Sequence, residues 1–450
     1  MPEVKDTVRK RSGKKLNKRA RQRWNGLFRG SKLMAFFLVL VVMGFIGLLW
    51  FARPDTSTVE KRSLSKFPAF SWGEFWNGTY FQKIDTWYAD TYPLRESLIA
   101  GNQWLTDKYG LRGDQIVGEA MVSDEIPTEE TPDAKPEIDI TPDGPLDDGT
   151  VTNLGELQGQ IYITDNCGYG LYYFTQDGAD AMAAAINQIY DRVGDQVELY
   201  TMICPISSGV MLDQAVLEDM GCSDEKAAID YVYKQLNEGV HTVNAFDNLK
   251  LHNAEYIYFH TDHHWTALGA YYAYQVFCKE KGVQPHDYKD YETIEFPGFL
   301  GTFYSSSNQS PALAANPDTV VAYIPKGTNT CTITNADGST IQWPVVNDVS
   351  SYAKSELYAA FGGDKPFTVA HNETITDGSA VMVIKDSYGN AFVPWLIDHY
   401  EYVYWVDYRY SSNTISQMVQ DYGVQDVIIS LQIYNATTKN AIPKLLNIGQ

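Results

Sequence analysis

Val381–Trp395 reads VMVIKDSYGNAFVPW, an apolar strand that runs directly into Asp386-Ser387 and is followed by Gly389 and a helix. This resembles a strand–nucleophile–helix turn, in which the hydroxyl is exposed and helix-start amides can stabilise an oxyanion. The flanking glycines of GxSxG are missing, and Pro394 limits how the helix can continue. A Ser after a strand is by itself more often a cap than a nucleophile.

Outward from this stretch the same alternation recurs. IYIT (161–164) is a short strand, and AMAAAINQIYDRV (181–193) is a helix with Met182, Ile186, Ile189 and Val193 on one face. VELYTMICPI is a buried strand ending at Pro205, and Ser223 can cap the helix that begins with Asp224 and Glu225. VHTVNAF and EYIYFH read as further strands, and Thr266 can cap ALGAYYAYQVFCKE. After a less regular, β-like stretch from Gly282 to Ser379, the pattern resumes with VMVIK, YVYWVDY, a helix through Met418 to Tyr422, and DVIISLQIY. Strands and helices alternating at this length imply an α/β fold with a mainly parallel sheet covered on both faces. The domain is expected over 153–450, with a β-rich insertion at about 282–379.

Charge divides the chain. Of 450 residues, the first 32 carry 12 Lys/Arg against two acids, whereas the remainder carries 23 Lys/Arg against 54 Asp/Glu. Between them lies Leu33–Ala52, twenty residues without a charge and long enough to span a bilayer as a helix, with Trp50 near its outer end. The positive-inside rule then keeps 1–32 in the cytoplasm and exports everything after Arg53. A cleaved signal peptide is the alternative, but the run is long for one and no A-x-A-like site follows. The basic stretch suits topology and anionic lipid better than nucleic acid, so no nucleic-acid partner is expected.

Residues 53–118 read as a helical juxtamembrane segment, in which Phe81, Ile84, Trp87 and Tyr88 recur at helical spacing and Pro93 breaks the pattern. Residues 119–152 read as an acidic linker without fixed structure; Asp124–Asp148 has ten acids, one Lys and five Pro. The five cysteines (167, 204, 222, 278, 331) form no disulfide framework and contain no CxxC. One pair could be bridged, whereas Cys204 and Cys278 sit in apolar runs and suit buried thiols.

A second segment, HTDHHWTALGAYY (260–272), supplies what a serine nucleophile needs. Asp262 and His264, two apart in an extended stretch, project to one side; the carboxylate can hold Nδ1–H and leave Nε2 as a general base. His263 would point the other way. The bland reading is a His pair packed at a helix start, with Asp262 bonding backbone amides.

Asp262-His-His-Trp265, with FHT before it and TALGA after it, resembles the signature of the DHHW family, which is similar to the exported acetyltransferases that modify alginate and to SGNH-type serine hydrolases. EKRSLSKFP (60–68), DTYPLR (90–95), GTFYSS (301–306), KDSYGN (385–390) and VDYRY (406–410) extend the likeness over most of the exported chain. The resemblance implies a flavodoxin-like (SGNH-type) α/β/α sandwich with Ser387 as nucleophile, His264 as base and Asp262 as orienting acid, in permuted chain order. Lys385 stands where the GDS-like serine motif has glycine. Asn435, after DVIISLQIY, occupies the topological place of an SGNH oxyanion donor, although an ordinary turn residue would also sit there. With Gly389, Asn390, Trp265 and Arg409 it completes the oxyanion and substrate candidates.

The function expected is a membrane-anchored, extracytoplasmic O-acyltransferase or esterase acting on cell-surface polysaccharide, without a cofactor, alongside a multi-span membrane-bound O-acyltransferase as partner. One alternative is a non-catalytic glycan-binding or scaffold component of a cell-envelope acylation complex. Another, a metal-dependent hydrolase using His260, Asp262, His263 and His264, lacks HExxH spacing and a second ligand group.

Overall fold

Runs rich in Val and Ile become the strands of one sheet. In the computed structural model, which describes residues 38, 53–57, 62–95, 97–98, 123–127, 156–158, 161–411, 413–436 and 442–449, the chain forms two units, 1–101 and 102–450.

In the larger unit, β1 (Glu198–Cys204), β2 (Val240–Thr242), β3 (Thr330–Thr334), β4 (Thr340–Pro344), β5 (Phe367–His371), β6 (Ala380–Lys385), β7 (Tyr402–Asp407) and β8 (Asp426–Gln432) form an eight-stranded sheet ordered β4-β3-β5-β7-β6-β8-β1-β2. From β7 to β2 all neighbours are parallel, while β5, β3 and β4 extend the edge antiparallel. Every residue of β6 and β8 is buried, as strands covered on both faces must be. Four longer helices supply the cover: α1 (Gln176–Val193), α2 (Glu225–Tyr233), α3 (Ala267–Lys281) and α4 (Ile415–Tyr422). They pack in two sets, α1 with α2, α4 and Ile442–Ile448, and α3 with Phe246–Leu251 and Gly389–Phe392. Met182, Ile186, Ile189 and Val193 form the buried stripe of α1. The architecture is therefore a mixed α/β fold around a large, mostly parallel sheet.

Several expectations change. EYIYFH is not a strand: Tyr258 and Trp265 form an isolated antiparallel bridge, so the chain doubles back within six residues and cannot extend the sheet. Ser223 does not cap α2, because its hydroxyl accepts from the Phe174 amide (2.8 Å); Asp224 caps instead, accepting from Ala227 N–H (3.0 Å). Thr266 does cap α3, through the Gly269 amide (3.2 Å). IYIT belongs to a separate three-stranded antiparallel sheet with Glu156–Gln158 and Cys167–Gly170. The β-rich region is not one insertion: β3, β4 and β5 join the main sheet, whereas Glu292–Phe299 and Asp318–Ile324 form their own hairpin. The five thiols are all free, with Cys204, Cys278 and Cys331 buried.

Part of the acidic stretch is docked. The Asp124 amide donates to Phe174 O (3.0 Å), its carboxylate accepts from the Gln176 amide (3.0 Å), and Ile126 packs on the core. Residues 119–122 and 128–152 of that linker lie outside the described residues. In the smaller unit, Trp72–Asn77 and Thr79–Asp90 are helices joined at Gly78, whose φ of 85° favours glycine. The second helix ends before Pro93, and buried Asp90 accepts from the Ser65 amide (2.7 Å). Among the described residues no helix is long and apolar enough to cross a membrane; apart from Leu38, the run 33–52 lies outside them.

His399 ties the helix-side packing to pH. Its Nε2 is hydrogen-bonded to the Tyr274 hydroxyl, and burial, with His286 adding to it, pushes its pKa from 6.5 down to about 4. Between those values the unfolded chain takes up a proton that the folded one refuses, so stability rises with pH across that window. Urea unfolding at pH 5 and pH 7.5 should therefore show a larger difference for the wild type than for His399→Gln. Equal differences would show that His399 contributes nothing to the slope.

Candidate active site

The turn after β6 is built by a carboxylate. Asp386 is buried and accepts from the amides of Tyr388 (2.9 Å) and Gln432 (2.7 Å) and from Asn435 Nδ2 (2.8 Å). Burial pushes its pKa up and these three donors oppose the rise. Held this way, the turn presents Ser387 at the C-terminal rim of the sheet, where open α/β sheets place their sites.

The 256–266 loop meets it from the side. The Tyr258–Trp265 bridge closes the loop, and Asp318 of the hairpin pins its tip by accepting from the amides of His260 and Thr261 (both 2.8 Å). Trp265 is wholly buried and donates from Nε1 to Tyr388 O (3.0 Å), while the Tyr388 hydroxyl donates to His263 O. The two motifs are thus stitched to each other.

At the join, His264 Nε2 lies 2.8 Å from Ser387 Oγ and His264 Nδ1 lies 2.6 Å from Asp262 Oδ1. Asp262 also accepts from the amides of His264 (3.0 Å) and Thr302 (2.7 Å). Burial raises the carboxyl's pKa, but the two imidazoles and these hydrogen bonds outweigh it and hold Asp262 ionised well below the usual range. Thr302 gets this close only because its neighbour is Gly301, where a Cβ would come within 2.3 Å of Asp262 Cβ. With Asp262 holding Nδ1–H, Nε2 is left as the acceptor for the serine hydroxyl.

His263 does not point away. Its ring centre is 3.8 Å from that of His264, its Nδ1 is 2.6 Å from Thr302 Oγ1, and burial followed by the His264 charge lowers its pKa to about 4. It is therefore neutral near pH 7. Asp262, His263 and His264 lie close enough to consider a metal ion, but Asp262 Oδ1 and His264 Nδ1 face each other in a hydrogen bond rather than a common centre. An ion would have to break that bond, so the donor set does not fit one.

The other candidates are occupied. Asn435 spends Nδ2 on Asp386, and the Gly389 amide donates to Asp386 O (3.1 Å). Asn390 donates from Nδ2 to Asp364 (3.0 Å), and its buried Oδ1 has no hydrogen-bond partner among the described residues. Arg409 makes a two-point ion pair with Asp407 (2.8 and 2.6 Å) and a second with Asp364 (2.9 Å). Trp265, with no exposed surface, is an anchor between motifs and cannot meet a substrate. Lys385 is buried completely, its Nζ 3.5 Å from Asp364 and 3.6 Å from Asp407.

Two contributors escape the sequence. Thr302 lay inside the GTFYSS likeness, whose glycine was the available signal. Tyr358 carried none, yet its ring stacks on His264 at 4.0 Å and 12°, and its hydroxyl donates to Ser387 O (2.9 Å).

A mostly parallel α/β sheet with this Ser–His–Asp arrangement on its rim defines a mixed α/β protein with a candidate nucleophile site. More narrowly, the chain belongs to the DHHW family, "DHHW protein", which it matches over residues 60–141 and 131–406. Among solved structures it is similar to a DHHW family protein from Eubacterium siraeum, at 29% identity over 64% of this chain and 94% of that one, with a TM-score of 0.58. It is also similar in fold to Bacillus cereus PatB1, solved with a sulfonyl adduct, at 19% identity over 64% of this chain and 98% of that one, with a TM-score of 0.53. The O-acetyltransferase domain of Pseudomonas putida AlgJ matches at 15% identity over 64% of this chain and 96% of that one, with a TM-score of 0.35. No curated protein sequence matches.

Lys385 also explains Gly389, since a Cβ there would lie 2.6 Å from Lys385 Cβ. Gly389→Ala should destabilise the fold by about 1–3 kcal/mol, read as a lower urea midpoint at constant slope. An unchanged midpoint would mean that the lysine stem can move aside.

Proposed function

We propose that this chain is a serine-dependent O-acyltransferase or esterase of the cell envelope, with Ser387 as nucleophile, His264 as general base and Asp262 as orienting acid. The observation that carries the reading is the pair of hydrogen bonds on His264, 2.8 Å to Ser387 Oγ and 2.6 Å to Asp262. Ser387 Oγ attacks the carbonyl carbon of an acyl ester while its proton passes to His264 Nε2. Asp262 stabilises the imidazolium, which returns the proton to the departing alcohol oxygen. A sugar hydroxyl, or water, then attacks the acyl-serine, gives its proton to His264, and restores the Ser387 hydroxyl. Among the described residues the Ser387 amide donates no hydrogen bond, which leaves it as a donor to the developing oxyanion.

Polysaccharide as acceptor comes from the likeness to exported acetyltransferases. A multi-span acyltransferase that hands over the acyl group fits as partner on the same ground. A fluorophosphonate probe should label the wild-type full chain at Ser387 and leave Ser387→Ala unlabelled. Equal labelling would place the nucleophile elsewhere, and absence of labelling from both would favour the glycan-binding reading.

The same proposal places 1–32 in the cytoplasm, anchors the chain through 33–52, and puts the α/β unit outside, on the strength of the charge division and the uncharged run. Protease added to intact cells should remove the large unit. Its protection would reverse this topology.

A further inference from the structure

A hydrogen bond from Nδ1 to Asp262 fixes one atom of an imidazole but leaves the ring free to tilt about that bond. In this site both ring faces are covered. Tyr358 lies at 4.0 Å, 12° from parallel, and His263 at 3.8 Å; two rings that close to a third must take opposite faces. Tyr358 does more than pack, because its hydroxyl also donates to the backbone carbonyl of Ser387 (2.9 Å). One side chain touches both the proposed base and the residue carrying the proposed nucleophile.

The segment that bears Tyr358 is fastened at each end. At its start, Lys354 O accepts from the Leu300 amide (3.2 Å) and Lys354 Nζ donates to Pro297 O, tying it to the hairpin. At its end, Gly362 and Gly363, with φ of 76° and 75°, turn the chain so that Asp364 reaches the ends of β6 and β7. There Asp364 meets Lys385 (3.5 Å), Arg409 (2.9 Å) and Asn390 Nδ2 (3.0 Å). Leu357, Ala360 and Phe361 are buried beneath it. We propose that Lys354–Asp364 is a strap that sets the His264 imidazole against Ser387, with Tyr358 as its positioning residue.

The inference rests on the serine-nucleophile reading, and fluorophosphonate labelling of the full chain separates the two. With the wild type labelled and Ser387→Ala silent, the concentration dependence of the labelling rate is measured for Tyr358 variants. Tyr358→Leu removes the flat ring and should lower the maximal rate about 100-fold, with the half-saturating probe concentration unchanged. Tyr358→Phe keeps the ring, loses one hydrogen bond, and should fall by less than about tenfold. Both should retain wild-type near-ultraviolet dichroism. Should Tyr358→Leu fail to fold, Asp364→Asn releases the strap while keeping Tyr358, and should lower the same maximal rate. A wild-type maximal rate in a folded Tyr358→Leu, or in Asp364→Asn, would overturn the strap while leaving the serine reading intact. Labelling that persists in Ser387→Ala would overturn both.

Discussion

A lysine with no exposed surface, and no hydrogen bond at Nζ among the described residues, sits two residues before the candidate nucleophile, and much of the site's framework follows from offsetting its charge. Taking an ammonium out of water costs several kcal/mol unless anions meet it. Asp407, directly across from Lys385 in the β6–β7 register, is one anion, and Asp364 is the other. Two carboxylates on one cation leave an excess negative charge, which Arg409 offsets by pairing with both. Burial pushes the Asp364 pKa up, and Lys385 and Arg409 outweigh it, so the group stays ionised. The cluster therefore joins two strand ends to a loop far from them in sequence.

That linkage is why the residue replacing a glycine of the GDS-like pattern is not a neutral change. A glycine at 385 would leave the strand end without a cation and Asp364 with fewer partners. In exchange, the lysine stem fills the space above which Gly389 passes, moving the need for a missing Cβ four residues on. The turn itself survives the exchange because it is built by Asp386, whose bonds to Tyr388, Gln432 and Asn435 do not involve residue 385. Asn435 thus serves the serine by holding the turn.

How far this could be read in advance depends on the range of the interaction. Strands such as VMVIK and DVIISLQIY are legible because burial on both faces demands unbroken apolar runs, and α1 is legible because one buried stripe demands period 3.6. Asp262 and His264 are legible because their contact is two residues long. EYIYFH misled because aromatic and β-branched residues also suit a short tight bridge, and only the pairing of Tyr258 with Trp265 distinguishes the two. Ser223 misled because its hydroxyl was claimed from 49 residues away by Phe174. Asp124 looked solvated by composition, yet one acid among many can still find a helix-start amide to accept from.

The chain order of the site carries a further consequence. Asp262 and His264 come before the irregular 282–379 stretch and Ser387 after it, so the hydrogen bond between His264 and Ser387 spans 123 residues. The intervening chain returns to that bond three times. Thr302 reaches the outer oxygen of Asp262, Asp318 pins the loop behind His260 and Thr261, and Tyr358 lies on the imidazole while holding Ser387 O. A stretch whose composition reads only as turns and short strands therefore supplies the groups that fix the geometry between the two legible motifs. Removing it would leave both motifs and the Trp265 and Tyr388 bonds between them, but none of the contacts that hold Asp262, the 260–261 tip and the His264 ring in place.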